Sequence, residues 1–231
     1  MGTILVEEKD IVAPGETLAE GMDYIPGKGT FRDDDEIISK GLSLINIDGS
    51  VIKGIPMNGR YVPQEGDRVI GRVKDILMSG WKLDINSAYD SMLPLKDASH
   101  DYIEKGSDLT RYFDLGDYVA VKITSVSTQK MVDITAKGQG LQKLEGGRII
   151  EVNPQKVPRI IGSRGSMISI IKKALDCNIF VGQNGYAWLN AEPENEVKAI
   201  QAIRRIEREA HTNGLTERIS DMLDHDEGDE S

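Results

Sequence analysis

Up to about residue 136 no apolar run in this chain extends beyond a few residues before a glycine, proline or charged side chain interrupts it. Apolar residues at helical spacing emerge only past Gly165. Strands read with a period of two and helices with one of three to four, so the chain divides into strand-rich stretches followed by a mixed region. With 24 glycines to make turns, the fold class is mainly β, closing with an α+β part.

Residues 1–62 alternate the runs ILV, LSLINI and VIKGI with Gly and Pro, which describes a small β-domain. Residues 63–146 offer strands at 68–76, 81–85, 91–95, 118–126 and 131–135, and five short strands suggest an OB-fold barrel. The segment KGQGLQKLEGG, with four glycines, reads as a connector that leaves its neighbours at an adjustable angle. In residues 147–215, strand-like GRIIEV and VPRII precede a helix over 166–176. That helix carries Met167, Ile168, Ile170, Ile171, Ala174 and Leu175. Two strands about a Gln183-Asn184-Gly185 turn follow, then a helix over 194–210 presenting Val197, Ile200, Ile203 and Ile206. The expected order is β-β-α-β-β-α. Residues 216–231 combine like charges with few apolar side chains and are expected to form an acidic, largely disordered tail.

Several function classes drop out on composition. No apolar run approaches the roughly 18 to 20 residues that cross a bilayer, and residues 1–10 lack a basic segment leading into an apolar one, so a cytoplasmic protein without membrane contact is expected. The single Cys177, inside LDCNIFV, forms no internal disulfide and is expected to be buried. His100, His211 and His225 lie far apart, and the consecutive Asp33, Asp34, Asp35 and Glu36 cannot all converge on one ion. No metal, cofactor or catalytic residue is therefore assigned. Gly27-Lys28-Gly29-Thr30 fails the phosphate-loop spacing, since Gly29 stands where Ser or Thr is required and Gly21 is one residue too distant; it reads as a turn.

The net charge of −10 opposes a polyanionic ligand until it is divided along the chain. Residues 1–62 carry −5, 63–147 carry −2, 148–219 carry +3 and 220–231 carry −6. The one net-positive stretch contains Ile160-Ile161-Gly162-Ser163-Arg164-Gly165-Ser166-Met167-Ile168. There two glycines let a phosphate chain approach the backbone, a helix starting near Ser166 offers free N–H groups, and Arg164 adds a mobile positive charge. The same spacing recurs in Gly182-Gln183-Asn184-Gly185, where it is better explained as a purely structural hairpin turn.

The first of these segments resembles the KH family, whose motif is apolar-Ile-Gly-x-x-Gly-x-x-Ile, over about 148–210. That resemblance implies a loop made by Gly162, Ser163, Arg164 and Gly165 that clamps single-stranded RNA, beside an apolar groove drawing on Ile161, Ile168 and Ile171. Each of those isoleucines is equally explained as core. The middle module resembles the S1 domain, with Gly66-Asp67-Arg68-Val69-Ile70-Gly71-Arg72-Val73 at its first strand. The two stacking aromatics of that family are missing: Ser79 and Lys82 stand in their places with Trp81 between, and Pro94 replaces the usual histidine. What remains is Arg72, Lys74, Lys82 and Lys122 as backbone contacts or a solvated surface, and Trp81 as a base platform or a packing residue against the N-terminal module.

Ile11-Val12-Ala13-Pro14-Gly15-Glu16-Thr17-Leu18-Ala19, followed by a glycine-rich turn, an S1-like and a KH-like module, makes nearly the whole chain similar to the RNA-binding cap subunits of the archaeal exosome, the ribosomal RNA-processing protein four family. The resemblance implies a non-catalytic subunit whose N-terminal domain docks on a ring of RNase PH-like subunits, as a trimeric cap that guides RNA to the pore. Two alternatives stay open: a free-standing ribosome- or translation-associated RNA binder, and a fragment related to polynucleotide phosphorylase. In that enzyme KH precedes S1, the reverse of the order here.

Overall fold

The computed structural model describes residues 2–57, 59–104, 106–210, 212 and 214–225, with backbone alone for 224 and 225. Two compact units result, Met1–Gly59 and Arg60–Ser231.

The first unit is all strand: β1 (Thr3–Ile4), β2 (Ile11–Val12), β3 (Thr17–Glu20), β4 (Ile25–Pro26), β5 (Thr30–Asp33), β6 (Glu36–Ser39), β7 (Ser43–Asp48) and β8 (Val51–Pro56). They form two sheets, β1-β3-β6-β5 and β2-β7-β8-β4. Leu18, Ala19 and Ile37 of one sheet share a core with Val12, Ile45 and Ile52 of the other, as period-two alternation dictates. The Gly27-Lys28-Gly29-Thr30 stretch is indeed a turn, tied down by the Thr30 hydroxyl, which donates to the carbonyls of Gly27 (3.1 Å) and Ile52 (3.0 Å). The acidic run 33–36 is the bend of the β5–β6 hairpin.

The second unit begins with β9 (Arg68–Leu77), β10 (Gly80–Asp84), β11 (Ser91–Pro94), a short α1 (Leu95–Ala98), β12 (Tyr118–Val126), β13 (Val132–Thr135) and β14 (Lys143–Leu144). The order β13-β11-β10-β9-β12, closed by pairing of β13 with β12, makes a five-stranded barrel, as expected from the strand spacing. Its interior takes the alternate residues Val69 and Val73 of β9, Leu83 of β10, and Val119, Val121 and Ile123 of β12.

The C-terminal part comprises β15 (Arg148–Glu151), α2 (Val157–Ile161), α3 (Ser166–Ala174), β16 (Asn178–Val181), β17 (Tyr186–Asn190), α4 (Pro193–Arg208) and α5 (Leu215–His225). A three-stranded sheet, β15-β17-β16, packs its core face against the helices. The fold class is thus as the sequence implied, but three details differ. VPRII is a helix, so the order is β-α-α-β-β-α: Pro158 suits a first helical turn, and Val157 and Ile160, three apart, are both fully buried. On α4 the buried side chains are Ala199, Ala202, Ile203 and Ile206, leaving Val197 51% exposed. The expected tail is α5 over Leu215–His225, because Leu215, Ile219 and Leu223 fall on one helical face and are at most 1% exposed. Arg218 joins it to Glu209 at 3.1 Å. Residues 226–231 lie outside the described residues.

The connector is also tighter than its composition suggests. Leu141 and Leu144 are buried, β14 adds to β12 through Tyr118↔Leu144, and the sheet face away from the KH helices packs on the barrel. Ile70, Ala120 and Leu144 meet Trp188 there, flanked by Tyr118, Ile149, Phe180 and Tyr186. The barrel and the KH-like part therefore share an apolar interface in place of a hinge, because burying these side chains outweighs the mobility that glycines offer.

Candidate nucleic-acid interface

The Gly162-Ser163-Arg164-Gly165 loop joins α2 to α3, two helices, where a strand-to-helix junction was expected. Its two glycines do different work. Gly162 (φ 75°, ψ 173°) has no room for a side chain: a Cβ would lie 2.6 Å from Met167 N and 2.8 Å from Met167 Cβ. The loop is thus folded back on the first turn of α3. Gly165 (φ 81°, ψ 14°) is left-handed but open, with Ile168 at 4.0 Å its nearest neighbour. Between them Ser163 and Arg164 are exposed, and Arg164 itself is left-handed at φ 52°, an uncommon state for a side-chain-bearing residue. No side chain caps α3, but its first amide, Ser166 N–H, donates to the Ser163 carbonyl and Met167 N lies against Gly162, so it is the positive end of the helix dipole, more than free amides, that favours an anion here.

Charge favours the same place. From Val157 to Ala174 there are four basic residues, Arg159, Arg164, Lys172 and Lys173, and no acidic one. Arg159 is anchored by a 3.0 Å bond to the Thr212 carbonyl. Beside the loop, Ile161 and Ile168 are half-buried at the margin of the core, where they can border a groove. Ile171 is fully buried and belongs to the core.

On the barrel the candidate residues separate. Trp81 has no exposed face to serve as a base platform. It is fully buried in the barrel core, its Nε1 donating to the Phe113 carbonyl at 2.9 Å and its ring edge-on to Tyr112 and Phe113. Lys82 and Lys74 both pair with Asp90, at 2.7 and 3.2 Å. Hydrogen bonding to Lys82 holds the Asp90 carboxyl below its usual range, and the same bond raises the Lys82 ammonium. Asp90, unremarked in the sequence, thus offsets much of the charge expected on this face. Lys122 stands exposed on β12. Arg72 and Lys74, two apart on β9 and so on one side of it, line an open groove of about 470 Å³ with Val73, Asp84, Leu115 and Gly116. The Arg72 guanidinium lies 5.9 Å from the Tyr118 ring centroid, and Tyr118 meets Tyr186 edge-on at 6.4 Å.

The structure brings Ile161, Ile168 and the loop residues together, places Arg72 and Lys74 along one groove, pairs both Lys74 and Lys82 with Asp90, and buries Trp81. Among the described residues no cluster of three or more His, Cys, Asp or Glu side chains could hold a metal ion, and no helix is long and apolar enough to cross a membrane. Cys177 is buried and its thiol is pushed up by that burial.

Comparison with known proteins agrees with this geometry. Residues 60–105 match the family described as RRP4, S1 domain, and residues 147–195 match the KH domain family. The exosome complex component Rrp4 of Methanothermobacter thermautotrophicus is 43% identical over 221 residues, 96% of this chain and 70% of that protein. Its counterpart in Pyrococcus furiosus is 41% identical over 227 residues, 96% of this chain and 86% of that protein. A crystal structure described as an exosome complex RNA-binding protein superimposes with a TM-score of 0.65 at 34% identity, covering 74% of this chain and 98% of the other. The chain belongs to the Rrp4 family of exosome complex components.

Proposed function

We propose that this chain is the RNA-binding cap subunit of an archaeal exosome, one that captures single-stranded RNA and passes it to a ring of RNase PH-like phosphorolytic subunits without cleaving it. The carrying observation is the Gly162 to Gly165 loop: exposed at Ser163 and Arg164, set at the N-terminus of a helix that no side chain caps, and lying in a stretch, Val157 to Ala174, that bears four basic and no acidic residues. In this reading residues 63–146 and 147–215 supply the RNA surfaces, and residues 1–62 dock on the ring in three copies in the cytoplasm.

One feature supports the docking. Ile11 pairs across from Leu44, and Leu44 from Ile55. Cross-strand partners share a face, so the three line up on the side of the sheet away from the core, with Ile11 60% and Ile55 52% exposed. Such an apolar row on a small domain fits a protein partner. Ile11→Glu with Ile55→Glu should abolish co-elution with ring subunits in size exclusion while RNA binding persists. Co-elution unchanged would remove this face from the docking surface.

RNA capture is tested by fluorescence anisotropy on an unstructured oligonucleotide at two salt concentrations. Arg164→Ala should weaken binding several-fold and flatten the salt dependence, as expected when a phosphate contact is lost. An unchanged isotherm, or cleavage of RNA by the purified chain that a point substitution abolishes, would overturn the reading.

A further inference from the structure

Past the end of β11 the barrel carries a cavity of about 340 Å³ that shares no lining residue with the Arg72 groove. Three segments build it. Leu95 and Lys96 open α1, residues 100–103 follow that helix, and Lys137 lies just beyond β13. The Asp97 carbonyl ties the first to the last by accepting from Ala136 N at 2.8 Å and from the Thr135 hydroxyl at 3.0 Å. Asp101 N donates to the Ser99 hydroxyl at 3.1 Å, which turns the loop, and the buried Ile103 anchors its far end in the barrel core. The backbone is thus fixed on both sides while His100, Asp101 and Tyr102 stay in water.

The rim differs chemically from the strand face of the barrel. There Lys74 and Lys82 are both paired with Asp90; here the side chains of His100, Asp101, Tyr102 and Lys137 have no hydrogen-bond or ion-pair partner among the described residues. Tyr102 is 87% exposed, against 38% for Phe31, the next most exposed aromatic. A ring left so far in water on an anchored loop gains most from a flat face laid against it, and every base of single-stranded RNA has one. Lys96 and Lys137 add two ammonium groups for a phosphate, and Leu95 and Ile103 give the cavity an apolar lining. Leu95 N also donates to the Ser79 carbonyl at 3.1 Å, so the cavity adjoins the position from which a strand aromatic is missing. Asp101 brings selectivity, because an ionised carboxylate only accepts hydrogen bonds. Adenine, cytosine and guanine each carry an exocyclic amine that can donate to it, whereas uracil presents carbonyl oxygens on both sides of its one N–H.

We propose that this cavity is a base-binding subsite of the barrel: Tyr102 stacks on an unpaired base, Lys96 and Lys137 hold its phosphate, and Asp101 accepts from its exocyclic amine, which disfavours uracil there. The inference deepens the RNA-capture reading above and rests on it. Base contact moves from the strand face, where Trp81 is buried and the lysines are paired, to the loop beside it.

The test follows the full chain by fluorescence anisotropy with oligo(C) and oligo(U) of about 12 nucleotides, a length within the span of one OB barrel. These two pyrimidines stack alike and differ at the edge that Asp101 would meet. Both substituted positions are exposed, so the variants should fold. Tyr102→Ala should weaken binding of both oligonucleotides about tenfold, and Tyr102→Phe, which keeps the ring, should stay within about twofold of the parent. Asp101→Asn offers uracil a donor as well as an acceptor, so the ratio of oligo(C) to oligo(U) affinity should fall at least about threefold. Parent-like RNA binding by Tyr102→Ala overturns the subsite; if that variant also ceases to co-elute with ring subunits, the cavity is a protein contact. An unaltered ratio in Asp101→Asn overturns the base selection. Failure of the parent to bind either oligonucleotide, or parent-like binding by Arg164→Ala, overturns the RNA-capture reading instead.

Discussion

Replacing each loop glycine by alanine separates the two jobs that a G-x-x-G sequence conflates. At Gly162 the new methyl would fall 2.6 Å from Met167 N and 2.8 Å from its Cβ, on a backbone at φ 75°, ψ 173° that is almost exclusive to glycine. Strain of about 1–3 kcal/mol and overpacking of about 1–3 kcal/mol together cost about 4 kcal/mol. At Gly165 the methyl enters open space at φ 81°, ψ 14°, and only the left-handed penalty of about 1 kcal/mol applies. The chain's two tryptophans, Trp81 and Trp188, are both buried in the second unit, so their emission reports its unfolding in urea. With a slope of about 2 kcal/mol per molar, the midpoint should fall by about 2 M for Gly162→Ala and about 0.5 M for Gly165→Ala. RNA affinity should drop for Gly165→Ala without matching instability, since its methyl occupies the space a phosphate would use. Equal midpoints for the two variants would refute the division of roles and return both glycines to a purely local backbone function.

Asp90→Asn should release Lys74 and Lys82 and raise RNA affinity several-fold, with a steeper salt slope of about 0.7 per phosphate gained; an unchanged slope would exclude that face from contact. Because the Asp90 carboxyl is held low, first by Lys82, any stability from the pairs is present above the unfolded carboxylate value of about 3.9 and lost only as pH falls through the lower folded one. The difference in RNA binding between parent and Asp90→Asn should therefore stay constant from pH 5 to about 8, and a difference that vanishes within that window would contradict the charge assignment. Ile219→Ala should destabilise the second unit by about 2–5 kcal/mol, whereas a loss near zero would mean that α5 is not packed. Trp81→Ala should cost about 3–5 kcal/mol as a core deletion, and RNA should leave the emission of Trp81 unshifted in the parent; strong quenching there would restore it as a base platform.

Much of the scaffold could be read in advance because it is encoded locally. Alternation over 118–126 places Val119, Val121 and Ile123 on one side of a strand whatever lies across from them, and β12 occupies those residues. The loop was likewise visible as two glycines with an arginine between them. Its left flank was misread because a short apolar stretch such as VPRII satisfies helix and strand periods alike; packing of Val157 and Ile160 decides for the helix. Composition also hid α5, whose three buried side chains are diluted by acidic neighbours that face outward.

By itself, the amino-acid order determined which segments alternate, where the chain turns, and where positive charge gathers, since each depends on neighbours within one or two turns of chain. Only the tertiary structure decided that Trp81 is core, that Asp90 masks two lysines, and that Asn184 bonds to Ile70, 114 residues away. Those roles come from burial and hydrogen-bond partners supplied by distant segments, and the free energy of such contacts exists only once the chain has closed on itself.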